Sequence, residues 1–370
     1  MRRRTQKSLA HLLIFGSILF FIIYVNRPPT PNKSFPWRRI GYESSSAPPP
    51  ARGICPGLDT TSKPALIISH VAADGDPSWL DALEHRYHLC VYHVDRPVDP
   101  SSTSLQVPAN RGHEAMAYLT FLIDNYEEIP AAGAVFAHGS RFAWHNDHPV
   151  YDNAALLGRL DVDAAVEAAG YHNLRCDWSV SMCLPGASPQ GSLENSLHSV
   201  LEPWSARTAS DKMLPHVLEM LFGTTGAGGV KLGRTDTVRA QCCAQFVVSR
   251  ESLWRHSRAE YVALRQWLLD GRTARGRDAM LRDDRVAGRI LSYVWHILFI
   301  GLGPDGEAGG GVNLDRLNEQ ACPRADDCYC RLYGLCDLKN CRRPGSCFGQ
   351  YVLPADFKLP EDWAETHADV

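Results

Sequence analysis

Short apolar runs alternate with amphipathic stretches from about residue 65 onward. Leu66–Val71 and His88–Asp95 are apolar runs of the length that suits a buried strand, and Trp79–Arg86 between them has the pattern of a short helix. Arg111–Glu128 then carries apolar residues on one helical face, and Gly133–Ala137 supplies a further short apolar run. This order predicts an α/β fold of the Rossmann-like kind, with a mostly parallel central sheet flanked by helices.

The second half of the chain continues the alternation with longer helical stretches. Gly170 and Gly301 fall where a glycine ends a helix, and Ser249 precedes a long helical pattern as an amino-terminal cap. The predicted helices are Asn153–Gly170, Ser210–Phe222, Ser249–Asp270 and Asp283–Ile300, and the predicted strands are Tyr171–Cys176 and Gln241–Ser249.

The first apolar segment differs from all later ones because it is unbroken. Leu9–Val25 holds 17 uncharged residues, the short end of what spans a bilayer, and suits the thin membrane of the endoplasmic reticulum or Golgi. A basic start followed by an apolar run also fits a cleaved signal peptide. Tyr24–Pro29 offers no small-x-small cleavage site, so we favour a transmembrane signal anchor of a single-pass type II protein.

Composition divides the chain into five parts. Proline and serine are concentrated between the apolar run and the first predicted strand, a composition that stays extended and buries little. We therefore predict a cytosolic tail (1–8), a transmembrane anchor (9–25), a Pro/Ser-rich stalk (26–64), a luminal α/β domain (65–302), and a Gly-rich linker with a disulfide-rich tail (303–370).

The formal net charge of −3 hides an uneven distribution. The first 40 residues carry eight basic residues and no acidic ones, which leaves 30 basic against 41 acidic residues in the rest of the chain. A body this acidic lacks the basic face that nucleic-acid phosphates need, so nucleic acid is excluded as a partner.

Twelve cysteines indicate the compartment. Zinc modules usually have closely spaced cysteine pairs separated by a longer gap, and the tail lacks that rhythm. The dense tail cluster instead favours three disulfides in an oxidising lumen, which places the body there. We expect Cys55 to tether the stalk, Cys176 and Cys183 to lie close enough for a local bridge, and the adjacent Cys242 and Cys243 to be buried or separately bridged. The tail cluster is Cys322, Cys328, Cys330, Cys336, Cys341 and Cys347.

The loop after the central predicted strand concentrates polar and aromatic side chains. In an open α/β sheet the loops at the carboxyl ends of the strands form the ligand crevice. This loop is therefore predicted to bind a substrate, although a solvated surface loop has the same composition. Its chemistry-bearing residues are His138, Arg141, Trp144, His145, Asn146 and Asp147.

Two D-x-D pairs are candidates for a metal site. Asp74 and Asp76 follow the first predicted strand, where paired carboxylates could hold Mn²⁺ or Mg²⁺ beside a nucleotide diphosphate. Asp161 and Asp163 fall inside a predicted helix, where side chains two residues apart diverge. A competing imidazole and carboxylate site would use His138, His145, Asp147 and His148.

Two glycine-rich stretches match cofactor loops only in part. The run G-L-G-P-D-G from Gly301 follows a predicted helix and contains Pro304, whereas a dinucleotide motif needs a preceding strand. Gly223–Gly229 with Lys231 could fold over a diphosphate but lacks the Walker spacing. Neither stretch predicts a cofactor site.

Four ordered motifs resemble the fungal DUF3431 family, whose members are commonly single-pass membrane proteins of uncharacterised activity. The resemblance spans about Pro64 to Leu302 and names no reaction. It implies an altered activity if the second histidine that relatives often have at Ser140, or their acidic residue at Ser292, is catalytic. The motifs are Val135–Asp147, Gly170–Trp178 (G-Y-H-N-L-R-C-D-W), Cys242–Glu251 (C-C-A-Q-F-V-V-S-R-E) and Tyr293–Phe299 (Y-V-W-H-I-L-F).

An amino-terminal anchor, a proline-rich stem and a disulfide-bearing α/β body are together similar to secretory-pathway glycosyltransferases of the GT-A type. In that layout Arg141, together with Arg175, would stabilise the leaving-group charge. Asp147 or His145 would deprotonate an acceptor hydroxyl, and Trp144 would stack on a sugar. The predicted catalytic residues are His138, Arg141, His145, Asp147 and Glu251, and the predicted substrate-binding residues are Trp144, Asn146, Arg175, Gln245 and His296.

Three functions follow as hypotheses. The first is a membrane-anchored transferase that uses a nucleotide sugar and a glycan or glycoprotein acceptor, with metal dependence left open because the D-x-D is absent from the central loop. The second is a non-catalytic luminal or cell-surface glycan-binding protein. The third is a metal-dependent hydrolase or oxidase that uses the histidine cluster. The sequence gives neither donor nor acceptor.

Overall fold

A computed structural model describes most of the 370-residue chain. The described residues are 2–25, 30–223, 231–303, 311–339 and 341–347.

A six-stranded sheet forms the centre of the body, and a separate two-stranded sheet joins the two ends of the body. The strands in chain order are β1 (Ser34–Phe35), β2 (Ala65–His70), β3 (His88–His93), β4 (Leu105–Gln106), β5 (Ala134–His138), β6 (Tyr171–Asn173), β7 (Phe246–Val248) and β8 (Val312–Asn313).

The central sheet has the order β4-β3-β2-β5-β7-β6. Strands β2 to β5 are parallel, and β7 lies antiparallel to both β5 and β6. The predicted α/β class with a mostly parallel sheet is therefore confirmed, with one strand reversed. The chain adds β3 and β4 on one side of β2 and then returns to place β5 on the other side, so the strand order switches between β2 and β5.

Helices cover both faces of the central sheet. The helices of the described chain, of which α1 does not pack on the sheet, are α1 (Arg2–Val25), α2 (Ala115–Asp124), α3 (Asn153–Arg159), α4 (Val162–Glu167), α5 (Leu193–Leu201), α6 (Ala206–Phe222), α7 (Arg250–Leu253), α8 (Arg258–Asp270), α9 (Asp284–Ser292), α10 (Trp295–Phe299), α11 (Leu314–Ala321) and α12 (Ala325–Tyr333).

Alternate residues of β2 enter two separate hydrophobic cores. Ala65 and Ile67 face a core that contains residues of α2, α6, α8, α9 and α10. Leu66 and Ile68 face a second core that contains residues of α3, α4 and α12. Both faces of the strand are buried, and this explains why β2 is a continuous apolar run and not an alternating one.

Three predicted long helices are broken in the structure. Leu160 ends α3, and the Asp161 carboxylate accepts the Ala164 N–H to begin α4 as a new helix. Ser257 likewise caps α8 four residues after α7 ends at Leu253. The third break separates α9 from α10. The helical periodicity of these stretches is present in the structure, but side-chain caps divide the first two of them, and Val294 begins α10 without one.

The segment predicted as an extended stalk packs on the body. Phe35 and Trp37 are buried, and β1 pairs with β8. Cys55 forms a disulfide with Cys90 of β3, so the predicted tether is present. The segment is rich in proline, which favours an extended chain, but burial of its aromatic residues holds it against the body.

The carboxyl-terminal cysteines join the tail to the body. Cys322 pairs with Cys183, and Cys328 pairs with Cys176, so the expected local bridge between Cys176 and Cys183 is wrong. The remaining four tail cysteines pair locally, as Cys330–Cys336 and Cys341–Cys347. Tail disulfides exist as predicted, but two of the six cysteines reach into the α/β body.

The amino-terminal helix α1 stands apart from these cores. Gln6–Tyr24 is long and apolar enough to cross a membrane, and its residues are exposed. A helix of this kind near the amino terminus fits an anchor or a signal sequence.

Candidate functional site

A cleft of about 250 Å³ opens at the carboxyl edge of β5. This edge adjoins the point where the strand order switches, which is where open α/β sheets bind ligands. We call this cavity the edge cleft. Its lining residues are His113, Glu114, His138, Trp144, His145, Val180, Ser181, Met182, Ala240, Gln241, Cys242, Cys243, Arg285, Gly288, Arg289, Ser292 and Tyr293.

Three rings from the predicted loop form one wall of the edge cleft. The ring centroids of His138 and His145 are 4.6 Å apart, and those of Trp144 and His145 are 5.3 Å apart at nearly a right angle. The Nε2 atom of His138 lies 2.6 Å from the Cys243 carbonyl oxygen. Because a carbonyl only accepts, this nitrogen carries the hydrogen, which leaves Nδ1 of the neutral ring with its lone pair.

Buried amides hold this wall in place. Gln245 accepts the His138 backbone N–H at 3.2 Å and the Asn153 side-chain amide at 2.9 Å. Its own amide donates to Asn146 Oδ1 at 3.0 Å, and Asn146 donates to the Arg141 and Tyr151 carbonyls. Asn146 and Gln245 are both buried, so they position the loop and do not line the cleft.

A disulfide between adjacent residues lines the edge cleft beside His138. Cys242 and Cys243 are bonded to each other, which corrects the expectation of burial or separate bridges. Cys243 and Ala244 adopt left-handed backbone conformations, with φ of 84° and 43°. Asn173 donates to the Cys242 carbonyl at 3.2 Å, as His138 does to that of Cys243. Both cysteines line the edge cleft, and residues in uncommon backbone conformations often mark functional sites.

Helix α9 supplies the cationic side of the edge cleft. Arg285 and Arg289 stand one turn apart, and Arg289 donates to the Tyr293 hydroxyl at 3.3 Å. Tyr293 in turn donates to Asp211 at 2.7 Å, and burial raises the pKa of Tyr293. Two guanidinium groups beside an aromatic wall can bind an anion such as a diphosphate.

Two residues predicted to act in the loop are engaged elsewhere. Arg141 donates two parallel hydrogen bonds to the Asp152 carboxylate, at 3.0 and 2.9 Å, and does not line the edge cleft. Asp147 accepts the backbone N–H groups of Cys176 and Asp177 at 2.6 and 3.0 Å and the Tyr329 hydroxyl at 2.9 Å. Both side chains hold the loop to neighbouring segments.

The other predicted residues of the carboxyl half also lie away from the edge cleft. Arg175 donates to the carbonyl of His145 at 2.8 Å and to that of Asp177, so it holds the loop in place from outside the edge cleft. Glu251 is exposed and follows β7, whose reversed direction places it at the opposite edge of the sheet from His138. His296 is buried in the core, where desolvation lowers its pKa to about 3. The expectation that Glu251 and His296 close the pocket is wrong.

The carboxylates of the D-x-D pairs diverge. The Asp74 carboxylate accepts the Val71 N–H at 2.8 Å and the Ser140 hydroxyl. The Asp76 carboxylate instead accepts the Ser78 N–H and so caps the short helical turn that follows it. Within the described part of the chain, the one cluster with three close donor groups consists of Cys55, His88 and Cys90, and its two cysteines form a disulfide. Neither D-x-D nor the histidine cluster assembles a metal site among these residues.

Sequence reasoning missed most of the charged residues that line the edge cleft. Glu114 is the sole carboxylate among its lining residues in the described ranges, and it immediately precedes α2. Arg285 and Arg289 lay within the predicted helix Asp283–Ile300, where the sequence pattern gave them no role. The sequence feature that could have identified Glu114 is the polar run R-G-H-E at the start of a predicted helix, because such loops lie at the carboxyl edge of a sheet.

This chain has serine at two positions where family relatives often have another residue, and one of these positions lies in the edge cleft. Ser292 lines it, whereas Ser140 bonds Asp74 outside it. The Gly223–Gly229 stretch beyond Gly223, and Pro304 and Gly306 of the G-L-G-P-D-G run, lie outside the described residues.

A comparison with protein families gives one match over more than half of the chain. The family described as "Protein of unknown function (DUF3431)" matches residues 66–331. No curated protein and no solved structure matches the chain.

Proposed function

Because the chain belongs to the DUF3431 family, whose description assigns no activity, we propose a function from the edge cleft: a membrane-anchored, glycosyltransferase-like enzyme. The observation that carries the proposal is the composition of the edge cleft at the carboxyl edge of the sheet. It combines an indole, three imidazoles, one carboxylate and two guanidinium groups.

Each of these groups suits a part of a nucleotide sugar. Arg285 and Arg289 would bind the diphosphate through charge-assisted hydrogen bonds, in place of the role that sequence reasoning gave to Arg141. Trp144 and the Cys242–Cys243 disulfide supply apolar surfaces on which a sugar ring can pack. A divalent cation has no paired carboxylates to hold it here, so the arginines would carry the charge stabilisation.

The transfer step follows from this placement. The acceptor hydroxyl oxygen forms a bond to the anomeric carbon while the bond from that carbon to the diphosphate oxygen breaks. Glu114 takes the hydroxyl proton as general base, and Arg285 and Arg289 stabilise the negative charge on the leaving diphosphate. His145 is the second candidate for the base.

The proposal includes a location. Helix α1 would anchor the protein in the membrane of the endoplasmic reticulum or Golgi as a single-pass type II protein, with the body in the lumen. Six disulfides support an oxidising compartment for the body.

A non-catalytic glycan-binding protein is the second candidate. Trp144 and the Cys242–Cys243 disulfide would hold a sugar without transferring it. The hydrolase or oxidase hypothesis receives no support of this kind, because no third metal-ligand atom within the described ranges lies close to both His138 and His145.

Thermal unfolding with added nucleotides tests the proposal. UDP, GDP or one of their sugars should raise the melting temperature of the wild type, and Arg285→Gln should abolish that rise. Arg282→Gln is the matched control, because Arg282 is exposed just before α9 and lies outside the edge cleft. Stabilisation by free glycans alone would favour the second candidate. An equal nucleotide effect in wild type and Arg285→Gln would refute the role of α9.

A further inference from the structure

Helix α5 points its apolar side chains outward. Leu197, Val200 and Leu201 are 63%, 70% and 69% exposed, and Trp204 just after the helix is 73% exposed. The three helical residues are spaced three and four apart and share one face. Scattered exposed leucines are ordinary, but a contiguous stripe that ends in an exposed indole marks an interaction surface. We call these four residues the α5 stripe.

The inward face of α5 is polar, which reverses the usual arrangement of a surface helix. Asn195 is buried and donates to the Pro189 carbonyl at 2.8 Å, and buried Ser199 donates to the Ser196 carbonyl at 2.8 Å. Asn195 and His198 line a cavity of about 660 Å³ between α5 and the body. The buried polar side chains are thus satisfied by α5 itself and by the turn before it, while the apolar side of the helix lacks cover from the described chain.

The start of α5 lies close to the point where the body joins its anchor. Lys33 forms an ion pair with Asp236. A Cβ on Gly233 would lie 3.5 Å from the Lys33 Nζ atom, and a Cβ on Gly191 would lie 2.9 Å from the Gly233 carbonyl oxygen. Gly191 directly precedes Ser192, the cap of α5. A short series of contacts thus connects Lys33 to α5.

The length of chain between α1 and Lys33 allows this region to reach the bilayer surface. Lys33 follows Val25, the last residue of α1, by eight residues, which span at most roughly 28 Å when fully extended. The distance along the chain from Gly191 to Trp204 adds roughly 20 Å at helical rise. If α1 spans the membrane, the α5 stripe stands within reach of the surface of that membrane.

We propose that the α5 stripe lies in the interface of the bilayer that holds α1, as a second membrane contact of the protein. The proposal rests on the anchoring role given to α1 above. Leucine and valine side chains would enter the boundary between headgroups and acyl chains, and the Trp204 indole would lie at headgroup level. The flanking Glu194 and Glu202 are exposed and acidic, so apolar burial and not attraction to anionic lipid drives the contact.

Fluorescence quenching in vesicles tests this contact. The full chain is inserted into phosphatidylcholine vesicles with bromine atoms placed shallowly on the acyl chains, and tryptophan quenching is compared with that in unbrominated vesicles. Helix α1 contains no tryptophan, so the anchor itself contributes no signal. Trp254→Phe is the matched control, because Trp254 is also exposed, at 41%, but lies beside α7.

Bromine should quench part of the wild-type fluorescence, and Trp204→Phe should lose that part while Trp254→Phe retains it. If the protein floats with the vesicles but bromine quenches Trp204→Phe and wild type equally, the membrane contact of the α5 stripe is refuted and the anchoring role of α1 stands. Protein that no longer floats overturns both. A dimer that shields Trp204 from lipid would assign the stripe to a second copy and overturn the proposal.

Discussion

A buried carboxylate can act as a catalytic base or hold segments of a chain together, and the partners of Asp147 decide between these roles. Its two oxygens accept two backbone N–H groups and one tyrosine hydroxyl, all from segments distant in sequence. Glu114 has the opposite character, because it lines the edge cleft at a helix start. These contacts favour Glu114 over Asp147 as the proposed base.

Asp147→Ala should destabilise the body. The change leaves the N–H groups of Cys176 and Asp177 without their acceptor, and we expect a loss of about 3 kcal/mol in the free energy of unfolding. Thermal melting measures it. Asp81→Ala, at an exposed position, should change the free energy by less than about 0.5 kcal/mol. A fully stable Asp147→Ala protein would contradict the structural role.

Two buried histidines predict a loss of stability in acid. Burial lowers the pKa of His296 to about 3 and that of His172 to about 4, from 6.5. Below pH 6.5 the unfolded chain binds protons that the folded chain does not, so stability falls as the pH falls. Between pH 7 and pH 5 each histidine should cost about 2 kcal/mol.

The matching variant is His296→Met. Between pH 7 and pH 5 its free energy of unfolding should fall by about 2 kcal/mol less than that of the wild type. Urea unfolding at the two pH values gives the comparison, and each protein serves as its own reference. An unchanged pH dependence in His296→Met would mean that His296 is charged or paired in the folded protein.

At the scale of elements, short strands and internal helix breaks limited what the sequence could reveal. The apolar runs at β2, β3 and β5 predicted parallel strands correctly; β2 and β5 are buried on both faces, whereas β3 is buried on one face and half-buried on the other. The three residues of β7 carry no signal of direction, so Glu251 was placed at the wrong edge. The Cys242–Cys243 pairing depends on a local conformation that spacing alone does not specify.

The contact between α9 and the turn before α2 sets the width of the edge cleft. A Cβ on Gly288 would lie 2.8 Å from the His113 ring and 3.1 Å from the Gly112 backbone. Gly288→Ala should therefore separate these elements, lower stability by about 1–3 kcal/mol and weaken nucleotide-linked stabilisation. The same change at Gly158 in α3, where a Cβ meets no atom within 4 Å, should stabilise by up to about 1 kcal/mol. Melting curves that rank the two variants in reverse would contradict this packing.

At the scale of the whole molecule, the carboxyl-terminal segment is part of the body and not an appendage. Tyr329 and Leu332 of α12 belong to the second core, together with Leu66 and Val135 of the sheet. The Cys176–Cys328 disulfide closes a loop of 152 residues over this face. Composition predicted the disulfides and the compartment, but the long-range pairing required the fold.

Loss of the long-range disulfide should cost more stability than loss of a local one. Because the nested Cys183–Cys322 disulfide remains, replacing Cys176 and Cys328 by serine opens an effective loop of roughly 14 residues and should cost about 3 kcal/mol by chain entropy. Replacing Cys330 and Cys336, six residues apart, should cost about 2 kcal/mol. Melting of both variants under non-reducing conditions makes the comparison. Equal costs would contradict the view that the segment completes the body.

The most direct test of the edge cleft as a transferase site is the release of nucleoside diphosphate from UDP- and GDP-sugars by the purified full chain. The wild type should consume at least one donor. Glu114→Gln should reduce that turnover by roughly 100-fold or more, while nucleotide still raises its melting temperature. Turnover by Glu114→Gln at the wild-type rate, or no donor consumed by the wild type, would contradict the account.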